Sequence, residues 1–160
     1  MSHPESQGGK FLTFFLDEEE YGLEILRVRE IIGLLPITAV PRTPGFVRGI
    51  VNLRGKVIPV MSLRRKFEMP DVDDTDHTCI IVVQSGESSL GMIVDRVSEV
   101  LDIAPTDIVD APTLGAGLRT EYLLGIGRAQ GKIRLLLDID RVLSEGEQVE
   151  LQALQSSSAA

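Results

Sequence analysis

GLEILRVRE at residues 22–30 and GMIVDRVSE at residues 91–99 carry one pattern twice: Gly22, Arg27, Val28 and Glu30 recur as Gly91, Arg96, Val97 and Glu99, at an offset of 69. A second block repeats further along. Gly49, Gly55, Lys56, Leu63, Arg65 and Phe67 match Gly125, Gly131, Lys132, Ile139, Arg141 and Leu143 at an offset of 76. Short β proteins share turn chemistry and produce isolated matches by chance, but two blocks in the same order favour a true internal repeat. Each copy reads as strand, kinked strand, long loop, glycine hairpin and capped helix. The expectation is an all-β chain with short capping helices and two small subdomains, each a closed or nearly closed barrel. Closure removes the strand edges that a small open sheet leaves exposed.

The local signals around these blocks agree. Residues 11–16 are an apolar strand candidate, and Tyr21, Leu23 and Ile25 alternate with Gly22 and Glu24 at the period of two that marks a strand. Residues 26–32 fit a helical face or a bent strand, and their β-branched content favours the strand. Residues 37–40 lie between Pro36 and Pro41, which suits a strand end. Residues 47–53 and 56–60 flank Arg54–Gly55, a hairpin tip where glycine supplies positive φ. Ser62 then reads as an N-cap, with Leu63 and Phe67 at i, i+4. Residues 78–83 form a continuous apolar run, as in a strand buried on both faces. Residues 122–128 and 132–137 make a further hairpin, Asp138 caps a short helix, and residues 145–154 suit a C-terminal helix with Val149, Ala153 and Leu154 on one side. Residues 1–10 and 155–160 read as loose ends.

Composition narrows the function. The chain has 160 residues, 43% hydrophobic and 25% charged, with a net charge of −8, one Cys, two His and no Trp. The apolar fraction is ample for a core, and no apolar run approaches the ~20 residues of a membrane span. The polar first ten residues do not suit a signal peptide. Excess acid and scarce aromatics speak against nucleic-acid binding. The single Cys fits a reducing compartment.

The chemical motifs fail one by one. Gly49, Gly55 and Lys56 resemble a phosphate loop, but five residues separate the glycines, Val57 stands where Ser or Thr would hold magnesium, and no helix follows. Gly125–Ile126–Gly127 and Gly115–Ala116–Gly117 lack the third glycine of a dinucleotide fingerprint. Asp71, Asp73, Asp74, Asp76 and His77 are hard ligands, yet Asp76 takes the place of the required glycine in a calcium loop. This acidic stretch reads first as a solvated linker, with a small metal-dependent enzyme as the alternative. Cys79 shares a strand face with His77, but an apolar run raises a thiol's pKa and no orienting group is at hand. Elimination leaves binding, and Arg54 is the residue to explain. An arginine at an exposed tip grips a carboxylate bidentately or donates to carbonyls, or else is simply solvated.

The stretch GIVNLRGKVIPV, residues 49–60, resembles the core motif of the CheW family of chemotaxis coupling proteins, with the pattern G-x-x-N-L-R-G-x-x-x-P intact. Supporting matches are Glu20–Tyr21–Gly22, Ile31 after Glu30, Thr43–Pro44, residues 91–97 and Glu121–Tyr122–Leu123. The resemblance spans about residues 10–150. It implies two SH3-like five-stranded β-barrel subdomains, at about 11–77 and about 78–145, with strands open to exchange between them. It implies a non-catalytic, cofactor-free adaptor that binds the cytoplasmic hairpin tip of methyl-accepting chemotaxis receptors and the regulatory domain of a CheA-type histidine kinase. The same role in a type IV pilus or other chemosensory-like system is the alternative, and association with further copies of itself stays open. Localisation is then cytoplasmic, at membrane-associated receptor arrays. The receptor-binding positions carry over to Val28, Glu30, Arg54, Gly55, Cys79 and Ile80, with Cys79 departing from the usual branched apolar residue. Leu114 falls where the family places an apolar kinase or ring contact.

Overall fold

The computed structural model describes residues 8–109 and 122–158. Leu114, Glu121 and the Gly115–Ala116–Gly117 motif lie outside them. A hairpin of β1 (Gly9–Leu16) and β2 (Glu19–Glu24) leads through a 3-10 turn (Ile25–Arg27) into β3 (Val28–Gly33). The hairpin of β4 (Val47–Leu53) and β5 (Lys56–Ser62) is followed by α1 (Leu63–Lys66). Then come β6 (Cys79–Ser85), β7 (Ser88–Val94), β8 (Arg96–Ile103) and the short β9 (Ile108–Val109). The hairpin of β10 (Leu123–Ala129) and β11 (Lys132–Leu137) precedes α2 (Ile139–Val142) and α3 (Glu145–Ser158). The all-β expectation holds. One sheet has five strands; the other gains β9 as a sixth.

The repeat explains the topology. The sheets run β8-β1-β2-β11-β10-β9 and β3-β6-β7-β5-β4. The two sequence offsets and the chain order pair β1 with β6, β2 with β7, β3 with β8, β4 with β10 and β5 with β11. Each sheet therefore takes one hairpin from one copy and its remaining strands from the other. The joins are parallel: β2 meets β11 with Gly22 opposite Leu136, and β7 meets β5 with Gly91 opposite Val60. These are equivalent positions in the two copies, so the register repeats as well.

That register is why glycine recurs at 22 and 91. A Cβ on Gly22 would lie 2.8 Å from Leu136 Cδ2, and one on Gly91 would lie 2.8 Å from Ile80 and 3.2 Å from Val60. Contacts that short force neighbours to move.

The strands bury both faces in alternation. Ile81 and Val83 of β6 enter a central core shared with Leu12, Phe14, Tyr21 and Met92. Ile80 and Val82 enter a second cluster with Val51, Ile58, Val60 and Ile93, inside the five-stranded barrel. Phe11, Leu101, Ile103 and Leu136 fill the six-stranded barrel. The continuous apolar run at residues 78–83 is thus a strand with a core on each side, as expected. Phe14, Tyr21, Phe67 and Tyr122 stack in a row through the shared core, with centroids 5.4–5.8 Å apart.

Caps and ion pairs hold the crossovers. Ser62 Oγ accepts from the Arg65 amide, and Asp138 Oδ1 from the Asp140 amide. Arg64 in α1 grips Asp95, just after β7, through Nε (2.8 Å) and Nη2 (2.5 Å). Asp140 in α2 is gripped by Arg27, just after β2, at 2.8 and 3.2 Å. The second clamp is the first with its charges reversed.

The Asp95 carboxyl is held below the ordinary carboxylate range, chiefly by the Arg64 hydrogen bond, against the opposing effect of burial. A depressed native pKa adds stability above the unfolded value near about 3.9, and that stability is lost as pH falls through the lower native value. Asp95→Asn should therefore cost stability at neutral pH. The gap from the parent should shrink as pH drops below about 4. Urea unfolding at pH 7 and pH 3 measures it, and an equal gap at both would refute the assignment.

Two details depart from expectation. Gly9 and Lys10 already belong to β1, and α3 continues through Ser158, so both segments read as loose are partly ordered. The helix also seats on a different face. Leu151 is 4% exposed and Leu154 half-buried, while Val149 is 65% exposed. Leu151 lines a small hollow together with Pro59, Leu90 and Leu143, and Val149 faces outward.

Candidate functional site

Arg54 sits at the tip of the β4–β5 hairpin, with φ of +53°, and Gly55 follows at +85°. Positive φ at both residues of a two-residue loop is the type I′ turn that matches strand twist. Asn52 Oδ1 accepts from the Gly55 amide at 2.8 Å and steadies the turn. Arg54 therefore occupies a conformation costly for a side-chain-bearing residue, at roughly 1 kcal/mol. The second copy makes the same turn with Gln130 at +55° and Gly131 at +74°. The turn is formed equally well without an arginine, so the arginine serves something beyond the turn.

Arg54 reaches across the five-stranded barrel to Glu30 on β3, forming an ion pair between Nη2 and Oε2. The arginine is 70% exposed and the glutamate 31%. β3 and β4 are the two edges of this sheet. The loop after β3 closes the gap, because Thr38 exchanges two 2.9 Å hydrogen bonds with Ile50 on β4. The loop carries Leu34, Leu35 and Ile37, which with Ile32 and Leu53 are half-buried against the barrel's apolar cluster. Ile32 lies two residues from Glu30 and Leu53 adjoins Arg54, so this half-buried apolar collar of the barrel meets the charged pair along the chain.

The other predicted residues divide between two faces. A β-bulge between Val28 and Glu30 shifts the register, so Val28 pairs with Val83 and Glu30 with Val82. Val28 consequently packs toward the shared core, while Glu30 lies on the barrel-interior side with Ile32. Cys79 also packs against the shared core, and Ile80 is fully buried inside the barrel. The structure brings Glu30, Arg54 and Gly55 to one place. It sets Val28 and Cys79 on the opposite face of the sheet and gives Ile80 a core position that supports β3 from beneath. Burial pushes the Cys79 thiol up, only partly offset by a backbone hydrogen bond from Val97, so the sulfur is a protonated hydrophobe at neutral pH.

Ile32, Leu34, Leu35 and Leu53 were missed in the sequence reading. For Ile32, Leu34 and Leu35 the signal is the stretch IIGLLPI at residues 31–37, an apolar run that continues past the strand through Gly33 and Pro36 and is too apolar for a solvated loop.

The acidic stretch is tied to basic neighbours. Asp71 meets Arg65 at 3.0 Å and Asp74 meets Arg48 at 3.8 Å. Among the described residues no cluster of three His, Cys, Asp or Glu is placed to hold a metal ion. No helix among them is long and apolar enough to cross a membrane.

Residues 10–147 match the family model of the CheW-like domain. The chain is 41% identical over 143 residues to a chemotaxis protein CheW of Klebsiella aerogenes, covering 89% of this chain and 86% of that one. It is 30% identical over 149 residues to a chemotaxis protein CheW of Treponema pallidum, covering 91% and 88%. The crystal structure of the scaffolding protein TtCheW from Thermoanaerobacter tengcongensis superposes with a TM-score of 0.81 at 33% identity, covering 88% of this chain and 95% of that one. With its NLRG hairpin tip, its exchanged barrels and these relatives, the chain belongs to the CheW-like domain family.

Proposed function

We propose that the chain is the non-catalytic adaptor that couples methyl-accepting chemotaxis receptors to the regulatory domain of a CheA-type histidine kinase in a cytoplasmic signalling array. Family membership supports the coupling role. The observation that carries the receptor contact is the Arg54–Glu30 pair with its adjoining collar of Ile32, Leu34, Leu35 and Leu53. A receptor tip is a helical hairpin, and an amphipathic helix docks by laying apolar residues on an apolar surface rimmed by charge. Glu30, Arg54 and Gly55 contact the receptor directly in this reading. Val28, Cys79 and Ile80 act through the position of β3 and β6. Leu114 is assigned to the kinase or ring contact by the resemblance alone.

Arg54→Asp should weaken co-sedimentation with receptor signalling fragments by about 2 kcal/mol, roughly thirtyfold in Kd, because the tip charge reverses and Glu30 loses its partner. Arg54→Gln is the companion variant, since Gln130 already forms this turn in the same molecule. It should fold as the parent does and bind less tightly. Parental binding by both variants would count against the assignment. Binding of the kinase regulatory domain is the separate check on the coupling role, and its absence would sink that role.

A further inference from the structure

One pair of buried positions differs in charge between the two barrels, and the difference bears on how the chain chooses its strand partners. Inside the six-stranded barrel, Glu20 on β2 meets Arg134 on β11, Oε2 to Nε at 3.0 Å, with side chains 6% and 1% exposed. Neither of these two atoms makes a hydrogen bond within the protein, so the contact is a charge pairing, while Arg134 Nη1 donates to the Ala129 carbonyl at 2.9 Å. Two residues back from the Gly91–Val60 pair of the five-stranded barrel, the equivalent positions are Ser89 on β7 and Ile58 on β5, both buried. The pair is not needed to fill a barrel of this plan, because its counterpart is filled without it.

Near-copies create an ambiguity. β2 can lie beside β11, as it does, or beside β5 of its own copy, and the repeated register makes both geometrically alike. We propose that Glu20 and Arg134 are an address code that enforces the exchanged pairing. β2 beside β5 would bury Glu20 against Ile58. β7 beside β11 would bury Arg134 against Ser89. Each wrong pairing strands an uncompensated charge, and only the observed pairing neutralises both. Fixing a register or a partner is the best-attested use of a buried polar pair.

The test is refolding from urea, read as recovered native monomer by size exclusion and by amide NMR spectra. Glu20→Ser with Arg134→Ile makes the first barrel like the second and erases the code. It should remain folded when purified natively, yet recover native monomer about twofold less well and leave misfolded or swapped species. Adding Ser89→Glu and Ile58→Arg moves the code to the other barrel while keeping the same partners, and recovery should return to the parental level. Ile58→Arg with Arg134→Ile, leaving Glu20 in place, matches β2 to the wrong strand and should recover worst. Parental recovery by the double variant would overturn the proposal. So would failure of the fourfold variant to improve on it. A double variant unfolded under native conditions would show the pair to be bulk stabilisation instead, and would overturn it equally.

Discussion

Arg134→Met should destabilise the chain by roughly 3–5 kcal/mol, the cost of leaving a buried carboxylate without its partner. Methionine fills much of the arginine's volume, so a cavity contributes little. What changes is charge. Glu20 remains 6% exposed on its side chain, inside a barrel lined by Phe11, Leu101, Ile103 and Leu136. Its carboxylate is then left in an apolar setting without a partner. Total stability of a domain this size is about 5–15 kcal/mol, so about a fifth or more is at stake. The melting midpoint should fall by about 10 °C. Glu20→Ser with Arg134→Ile should recover most of the loss, because removing both charges leaves the arrangement that Ser89 and Ile58 already make in the other barrel. A double-mutant cycle by urea denaturation reads the coupling directly. Additive single effects would mean that the charges do not see each other.

Which parts of this fold were legible depends on whether their cause is local. The hairpin at Arg54–Gly55, the cap at Ser62 and the doubly buried run of β6 follow from residues within a few positions of one another. Those expectations hold. The bulge between Val28 and Glu30 has its cause in another strand: Arg29 is extra only relative to the partner residues Val82 and Val83. No periodicity within β3 shows it, so Val28 and Glu30, two residues apart, read as one face and fold onto two. Ile80 beside Cys79 is the same difficulty in a regular strand, where adjacent residues must part company and burial decides which one remains near the surface. The strand exchange was legible only as a possibility. The repeat predicts two like units, but like units offer two ways to pair, and the choice rests on one buried pair that reads in sequence as two ordinary surface charges.

Gly49→Ala should be the most damaging single-carbon addition at any glycine among the described residues, at roughly 2–6 kcal/mol from backbone strain and overpacking together. Gly49 has φ of +145°, which L residues rarely adopt, and a Cβ there would lie 2.1 Å from the Thr38 carbonyl oxygen and 2.7 Å from its carbon. The obstacle is backbone and cannot rotate aside. Thr38 cannot retreat without breaking its two hydrogen bonds to Ile50, and those bonds hold the loop that carries Leu34, Leu35 and Ile37 over the barrel end. The variant should therefore lose receptor binding beyond its loss of stability, since the collar that adjoins Arg54 and Glu30 loosens with the loop. Gly45→Ala is the control: no atom lies within 4 Å of its added carbon, its φ is not positive, and both stability and binding should stay near the parent. Hydrogen exchange at the Thr38 and Ile50 amides, which donate the two bridge bonds, separates the effects. Protection should fall there in Gly49→Ala before the rest of the sheet opens. Unchanged protection at both amides, with stability lost uniformly, would show that the loop is held by something other than this bridge.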